Sequence, residues 1–445
     1  MRFFKYIDFH THISALLLGL MCQTAFGGSP ETFFEDAIKY TVQVRTMIEM
    51  PFSGEEAGSF KGTGFVVDVE NGWILTNAHI ASRSPSRVKV AFKETDYFTV
   101  DKLYVDPHLD IALLKAPVGS FPKGVISAPL ECEADQPVGH PVGAFGHPWS
   151  LPYTGTRGII SGSTVYDGTA WLQTDAPINN GNSGGPLISM QTGRLVGINT
   201  ASVVNEKTEN LNLAVSMKYV CKIIKLLHEG RDPSPPILPV RFLEYGDYHH
   251  ELVVAETYFD GIDEQLKAGD VIYGVENVPD EIPHETHLIH LLRGERGEIN
   301  LRIRRNGKEL ITPFNVHPAE NITRRKGLYV SGLIIAPSGY YDESEINLGK
   351  TLMVHNTRAG TIANSSGIYP WDFIKTVDGR DFHTVEDLFS YLSEAFEQQR
   401  DVEIVVKRIF DTGSQLYSYK RISLPIENLR EIGIQTGEQE LASIN

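Results

Sequence analysis

INNGNSGGPLI, residues 178–188, sets one hydroxyl, that of Ser183, between Gly181 on one side and Gly184 and Gly185 on the other. A turn needs glycine only where φ is positive, and one or two would serve. Three glycines around a single serine point to a backbone bent so that the hydroxyl is presented to a reaction partner. Whether the stretch lies among strands or opens a helix decides the fold.

The surroundings are strands. From about Tyr40 to Val204 short apolar runs recur with turn signals between them, among them TVQVRTMIEM, GTGFVVDV, WILTNAHI, RVKVAF, IALLKA, GIISGSTV, WLQTDAPI and RLVGINT. Such spacing, without intervening helical patterns, predicts a mainly β barrel or sandwich. A serine hydroxyl is a poor nucleophile near neutral pH; it needs a base to take its proton and a third group to hold that base in the right tautomer. LTNAHI places His79 at a strand end, and DPHLDIALLK places Asp110 directly before an apolar strand. Residues 181–185 also fit G-x-S-x-G, the nucleophile elbow of α/β hydrolases, but that motif requires a strand-to-helix turn and partners downstream of the serine. Here both partners lie upstream. The order His79, Asp110, Ser183 is that of the chymotrypsin-type triad.

The glycines gain a purpose from this chemistry. A tetrahedral intermediate carries an oxyanion that fixed donors must meet. The backbone of Gly181, Asn182 and Ser183 is the expected oxyanion loop, with the N–H groups of Gly181 and Ser183 converging where Gly181 bends the chain. Gly184 and Gly185 are expected to keep side chains away from the attacked carbonyl, and Asn182 to act through its backbone more than its side chain.

Bulk properties bound the rest. A chain of 445 residues predicts two to four domains, and 41% hydrophobic with 22% charged residues excludes wholesale disorder. Lys+Arg 40 against Asp+Glu 56 gives −16, which argues against a nucleic-acid partner, since phosphate binding needs a basic surface. Residues 1–27 read as a signal peptide: Arg2 and Lys5, then the apolar ISALLLGLMC, then the small-x-small site Ala25-Phe26-Gly27. Cys22 invites a lipoprotein reading, and Met21 before it is too large for one. Cleavage leaves Cys132 and Cys221, too few for a disulfide framework. Cys221, in a helical stretch, reads as a buried thiol, and pairing is left open.

After the strand-rich region, SMKYVCKIIKLLHEG has apolar residues at helical spacing, with Ser216 to cap its start and Gly230 its end. The proline-rich stretch at 231–239 reads as a linker. Beyond it an internal repeat appears at an offset of about one hundred residues. AGDVIYGVENVPDEIPHETHLIHLL and PWDFIKTVDGRDFHTVEDLFSYL each hold an aspartate, a strand, a turn and an amphipathic helix. A charged strand follows each, EINLRIRRNG and DVEIVVKRIF. Two small αβ modules are the simplest explanation.

The segments GTGFVVD with GWILTNAHI, LDIALLKA, AFGHPWSLPYTGTRGIISG, and QTDAPINNGNSGGPLI with GRLVGINT resemble the HtrA/Deg family of serine proteases, and QLKAGDVI is similar to a turn and strand of that family's PDZ domains. The resemblance covers nearly the whole mature chain. It implies a two-barrel chymotrypsin-like protease domain at 30–230, PDZ-like modules at 240–320 and 325–430, and a tail at 431–445. It further implies export to the periplasm, ATP-independent degradation of misfolded or unfolded proteins without cofactor or metal, capture of peptide termini by the PDZ modules, and assembly from trimers. Phe33 and Phe34 lie where relatives form trimer contacts. Carried over, His79, Asp110 and Ser183 are the triad. Where the family often has GFAIP this chain has NLAVS, so Asn212, Leu213 and Ala214 are expected to pair with the substrate backbone beside a pocket for a small or medium apolar residue. GLYVSGL, residues 327–333, is the expected carboxylate-binding segment of the second module, and the first lacks a clear one.

Other signals are weaker. His284, His287 and His290 in HETHLIH miss the H-E-x-x-H spacing of a helical metal site by one residue, so a solvated helix face is expected. Gly349-Lys350-Thr351 lacks the first glycine of a phosphate loop, Asn364-Ser365-Ser366 is a formal glycosylation acceptor, and His249 with His250 reads as surface. The rival from another class is a chaperone or peptide-binding scaffold with an idle protease domain, whose mark would be a missing triad member.

Overall fold

The computed structural model describes residues 29–133, 135–147, 153–166, 169–202, 212–243, 251–257, 265–339, 351–411 and 416–434. The residues read as a signal peptide, the paired histidines 249 and 250, and Gly349-Lys350 lie outside these. Helix α1 (Pro30–Tyr40), capped by Ser29 with proline in its first turn, leads into β1 (Thr41–Ile48). Phe34 of α1 stacks on Phe145 at 5.6 Å, and a side chain at Gly193 would collide with Phe33. Both aromatics thus pack within the chain, on the barrel that holds Phe145 and Gly193, not on the one that β1 opens.

The first barrel continues with β2 (Gly58–Asp68), β3 (Trp73–Thr76), the short helix α2 (Ala78–Ala81), β4 (Ser86–Ala91), β5 (Phe98–Asp106) and β6 (Ile111–Lys115), closed in the order β1-β2-β3-β6-β5-β4. The second comprises β7 (Pro141–Gly146), β8 (Thr154–Tyr166), β9 (Thr169–Thr174), β10 (Pro186–Ser189), β11 (Leu195–Ser202) and β12 (Asn212–Ser216), closed as β10-β11-β12-β9-β8-β7. The expected mainly β, two-barrel fold is the one observed. Helix α3 (Met217–His228) starts at the Ser216 cap, whose hydroxyl accepts the Lys218 N–H. Cys221 on α3 is bonded to Cys132, so its thiol is not free; the cross-link ties the inter-barrel connection to the helix.

The first module holds β13 (Pro236–Ile237), β14 (Val240–Phe242), β15 (Leu252–Thr257), β16 (Val271–Val275), α4 (Glu285–Leu292), β17 (Gly297–Arg305) and β18 (Lys308–Pro318), in sheet order β13-β18-β17-β16-β15-β14. The expected linker is therefore shorter than 231–239, because Pro236 and Ile237 pair with Pro318 and His317. The second module holds β19 (Lys326–Val330), β20 (Leu333–Pro337), β21 (Leu352–Thr357), α5 (Ile362–Ser365), β22 (Phe373–Val377), α6 (Val385–Glu397), β23 (Val402–Asp411), β24 (Leu416–Leu424) and β25 (Arg430–Gly433). Its sheet order is β24-β23-β22-β21-β20-β19-β25, so the chain read as a tail begins inside the sheet.

Two expectations for the modules need correction. Residues 327–333 are not an open carboxylate loop. Ser331 and Gly332, at φ 51° and 95°, form a tight turn that folds β19 back onto β20. Since β21 already pairs with the other edge of β20, both edges of that strand are occupied from within the chain. Nor is α4 a solvated face: His287 is buried, and His290 sits edge-on against Tyr219 of α3 at 5.1 Å. The second module also packs on the protease domain, with Phe52 against His355 at 4.8 Å and Ser53 Oγ 3.2 Å from His355 Nδ1.

Candidate active site

Asp110 sits at the end of the turn that joins β5 to β6. Asp106 closes β5 and accepts the Leu109 N–H at 3.0 Å, and Asp110 takes φ 51°. For a non-glycine residue this left-handed backbone persists only where neighbouring contacts impose it. The carboxylate grips His79 twice: Oδ1 accepts the backbone N–H at 2.9 Å and Oδ2 lies 2.8 Å from Nδ1. The Asp110 side chain is only 19% exposed, so water competes weakly for it. With the Nδ1 proton directed at the carboxylate, Nε2 keeps its lone pair for a partner.

The element that carries His79 is fixed on its far side. Glu55, from the β1–β2 connection, accepts the Ser82 hydroxyl at 2.7 Å and the N–H groups of Arg83 and Ser84 at 2.8 and 3.0 Å. Beneath them the buried Lys102 ammonium donates to the carbonyls of Ser82 and Ser84. Burial pulls its acid constant down to about 7, against the opposing pull of Glu55.

Ser183 enters from the second barrel. Its Oγ donates to the Thr200 carbonyl at 2.8 Å, and among the described residues it makes no bond to His79. The loop before it bends at Gly181, φ 106°. The Asn182 N–H is engaged by the Asn179 carbonyl at 2.9 Å, which removes Asn182 from the expected oxyanion donors. Among the described residues the N–H groups of Gly181 and Ser183 donate to no acceptor. The Asn182 side chain, expected to matter little, is fully buried with neither amide atom partnered in the described structure.

Residues not singled out in the sequence hold the two barrels together here. Thr63 donates its N–H to the Ser183 carbonyl at 2.8 Å and its hydroxyl to the Gly181 carbonyl at 2.6 Å, and accepts the His147 N–H at 3.1 Å. Asn77 Nδ2 bridges the Asp110 carbonyl and Thr200 Oγ1, both at 2.9 Å. Gly184 faces this contact, where an added side chain would lie 2.1 Å from the Thr63 carbonyl, and one at Gly185 would lie 2.3 Å from the Phe145 carbonyl of its own barrel. The expected substrate strand is corrected as well. At Asn212, Leu213 and Ala214, β12 is bonded to β9 on one edge and β11 on the other, which leaves no free edge there. No group of three or more metal-ligating side chains is assembled among the described residues.

Two closed six-stranded barrels meeting at an aspartate–histidine pair and a glycine-bracketed serine define a trypsin-like serine protease. The family model for the trypsin-like peptidase domain matches residues 62–198. The chain is 28% identical over 332 residues to serine protease HTRA2, mitochondrial, of Bos taurus, covering 64% of this chain and 69% of the relative. It is 26% identical over 371 residues to a Chlamydia pneumoniae protein named "Probable periplasmic serine endoprotease DegP-like", covering 78% and 73%. In fold it is similar to the solved HtrA-type protease AlgW with tripeptide, at 24% identity and TM-score 0.52, over 65% of this chain and 97% of that one. Over most of its length the chain is thus similar to HtrA/DegP-like serine proteases, with a trypsin-like peptidase domain at residues 62–198.

Proposed function

We propose that the protein is an exported, ATP-independent endopeptidase that degrades misfolded or unfolded proteins. Ser183 attacks the scissile carbonyl, His79 takes its proton through Nε2 and returns it to the leaving amine, and Asp110 orients the imidazole and stabilises its charged form. The N–H groups of Gly181 and Ser183 receive the oxyanion. The hydrogen bond from Ser183 to Thr200 belongs to the resting state, and rotation of the hydroxyl toward His79 accompanies substrate binding. The observation that carries this reading is the double grip of Asp110 on His79, at 2.9 and 2.8 Å.

Similarity to HtrA/DegP-like proteases supports unfolded chains as substrates, and the signal-peptide reading of residues 1–27 supports export, to the periplasm as the name of the chlamydial relative has it for that protein. AlgW was solved with a tripeptide, which supports peptide capture by a module of this chain. The first module is the better fit, because β14 ends its sheet whereas β20 is paired on both sides. Assembly into trimers or larger multiples of them follows the family. The test is to incubate the parent chain and Ser183→Ala with an unfolded polypeptide. Fragments from the parent alone support the protease; equal protection of the polypeptide by both supports the idle scaffold.

A further inference from the structure

The turn that carries Asp110 is held from outside the barrels. Asp106 uses Oδ1 for the Leu109 N–H, at 3.0 Å, and so shapes the four residues that end at Asp110. Its Oδ2 lies 2.6 Å from Nη1 of Arg293, the residue that follows α4 in the first module, and also accepts the Tyr104 hydroxyl at 2.9 Å. The same arginine nitrogen reaches the Pro233 carbonyl at 2.6 Å. Arg293 is 1% exposed and Asp106 is fully buried. A second contact lies at the start of α4, where Thr286 Oγ1 accepts the Ala170 N–H at 2.8 Å. Next to it, the Thr169 hydroxyl donates to the His108 carbonyl at 2.8 Å, inside the same turn. One helix of the first module thus meets the Asp110 turn, or the strand beside it, at both of its ends.

We propose that Arg293 is a positioning residue for the reaction: through Asp106 it fixes the turn on which Asp110 holds His79, so the seating of α4 sets how well the base is oriented. This rests on the triad reading above. The physical basis is the cost of an unpaired charge. Burial alone would raise the Asp106 carboxyl, and the Arg293 guanidinium, with His108 and the Leu109 N–H, outweighs it and holds the group below its ordinary value. Without Arg293 the carboxylate must take a proton or turn toward water; a neutral carboxyl accepts the Leu109 N–H more weakly than the carboxylate does, and a turned one releases it, so either change weakens the bond that sets the turn. Asp110 then loses the support for its left-handed backbone, and its grip on His79 loosens.

The test uses the full chain with Arg293→Gln, Arg293→Lys and Asp106→Asn. Circular dichroism and melting identify the folded variants, and cleavage of a peptide substrate is measured as a function of pH. In folded Arg293→Gln, kcat is expected to fall about 10–100-fold with KM changed less than about twofold, as for a misplaced catalytic group. The acid limb of the profile is expected about half a pH unit lower, because the imidazole has lost part of its carboxylate partner. Arg293→Lys, which keeps the charge but not the fork, is expected between the two and carries the test if the glutamine variant does not fold. An unchanged kcat and acid limb in a folded variant would overturn the proposal. So would a kcat loss with an unmoved acid limb, the mark of a merely structural role. If the parent chain itself fails to cleave, this proposal falls together with the triad reading; if the parent cleaves and Arg293→Gln matches it, this proposal falls alone.

Discussion

At the scale of single residues, Thr63 carries more than its position suggests. Its hydroxyl lies between the Gly181 carbonyl and the His147 N–H, and its main chain holds the carbonyl of Ser183. Thr63→Val keeps the shape and removes the hydroxyl, leaving the half-buried Gly181 carbonyl and the buried His147 N–H without that partner. A stability loss of about 1–3 kcal/mol is expected. A fall of about tenfold in kcat should accompany it, with little change in KM, as the oxyanion loop loses its tether. Steady-state kinetics beside a denaturant titration check both. The pairing of His79 with Asp110 was legible in the sequence because one follows a strand, the other precedes one, and each is of the type the chemistry requires. Thr63 and Asn77 were not, because their partners lie 118 and 123 residues away, and a threonine between two glycines in a β run reads as ordinary strand. Spacing alone cannot show which N–H of residues 181–183 a tight loop turns inward, and the Asn182 N–H is the one that the Asn179 carbonyl takes.

At the scale of elements, the repeat read in the sequence extends to an interaction that only the structure shows. Asp270 pairs with Arg305 through two 2.7 Å bonds, and Asp372 pairs with Arg408 in the same way, each aspartate just before a strand and each arginine in the strand that follows the helix. Both carboxylates are buried. Asp372→Asn should therefore destabilise the second module by about 3 kcal/mol, visible as an earlier unfolding transition, and a transition that stays in place would refute the pairing as a support. The hairpin of β19 on β20 was less legible. Ser331-Gly332 is a fair signal for a two-residue turn, but the flanking apolar residues fit a ligand-binding strand equally well, and only the pairing tells them apart. The histidines of α4 were misread for a related reason. A helix face looks solvated in sequence until the partner that covers it, here α3 and β9, is known.

At the scale of the molecule, the modules are joined to the barrels by buried polar contacts as well as by chain. Lys222 of α3 donates to the carbonyls of His290 and Leu291 at 2.7 and 2.9 Å, closing the end of α4. Burial and the neighbouring Lys222, with His287, Arg293 and Lys218 also contributing, pull the acid constant of His290 from 6.5 down to about 3. A histidine lowered in this way stays neutral when docked and takes its proton first in the unfolded or undocked chain. Its contribution is complete above pH 6.5 and declines as pH falls toward 3, by about 1.4 kcal/mol per unit. Seating of the first module should thus weaken between pH 6.5 and 5, and His290→Phe should flatten that slope in denaturant titrations at several pH values. An unchanged slope in the variant would contradict the assignment. The Cys132–Cys221 cross-link, spanning 89 residues, also holds α3, and cross-links of this kind stabilise by about 2–4 kcal/mol.

The central claim is that Ser183 becomes a nucleophile through His79 as oriented by Asp110. A fluorophosphonate probe applied to the intact chain, followed by peptide mapping and rate measurement, tests it most directly. The account predicts one adduct on Ser183, none in Ser183→Ala, and labelling slowed by about 10³–10⁴-fold in Asp110→Asn. A Ser183 that stays unlabelled in the presence of an unfolded substrate, or an Asp110→Asn variant that labels as fast as the parent, would contradict it.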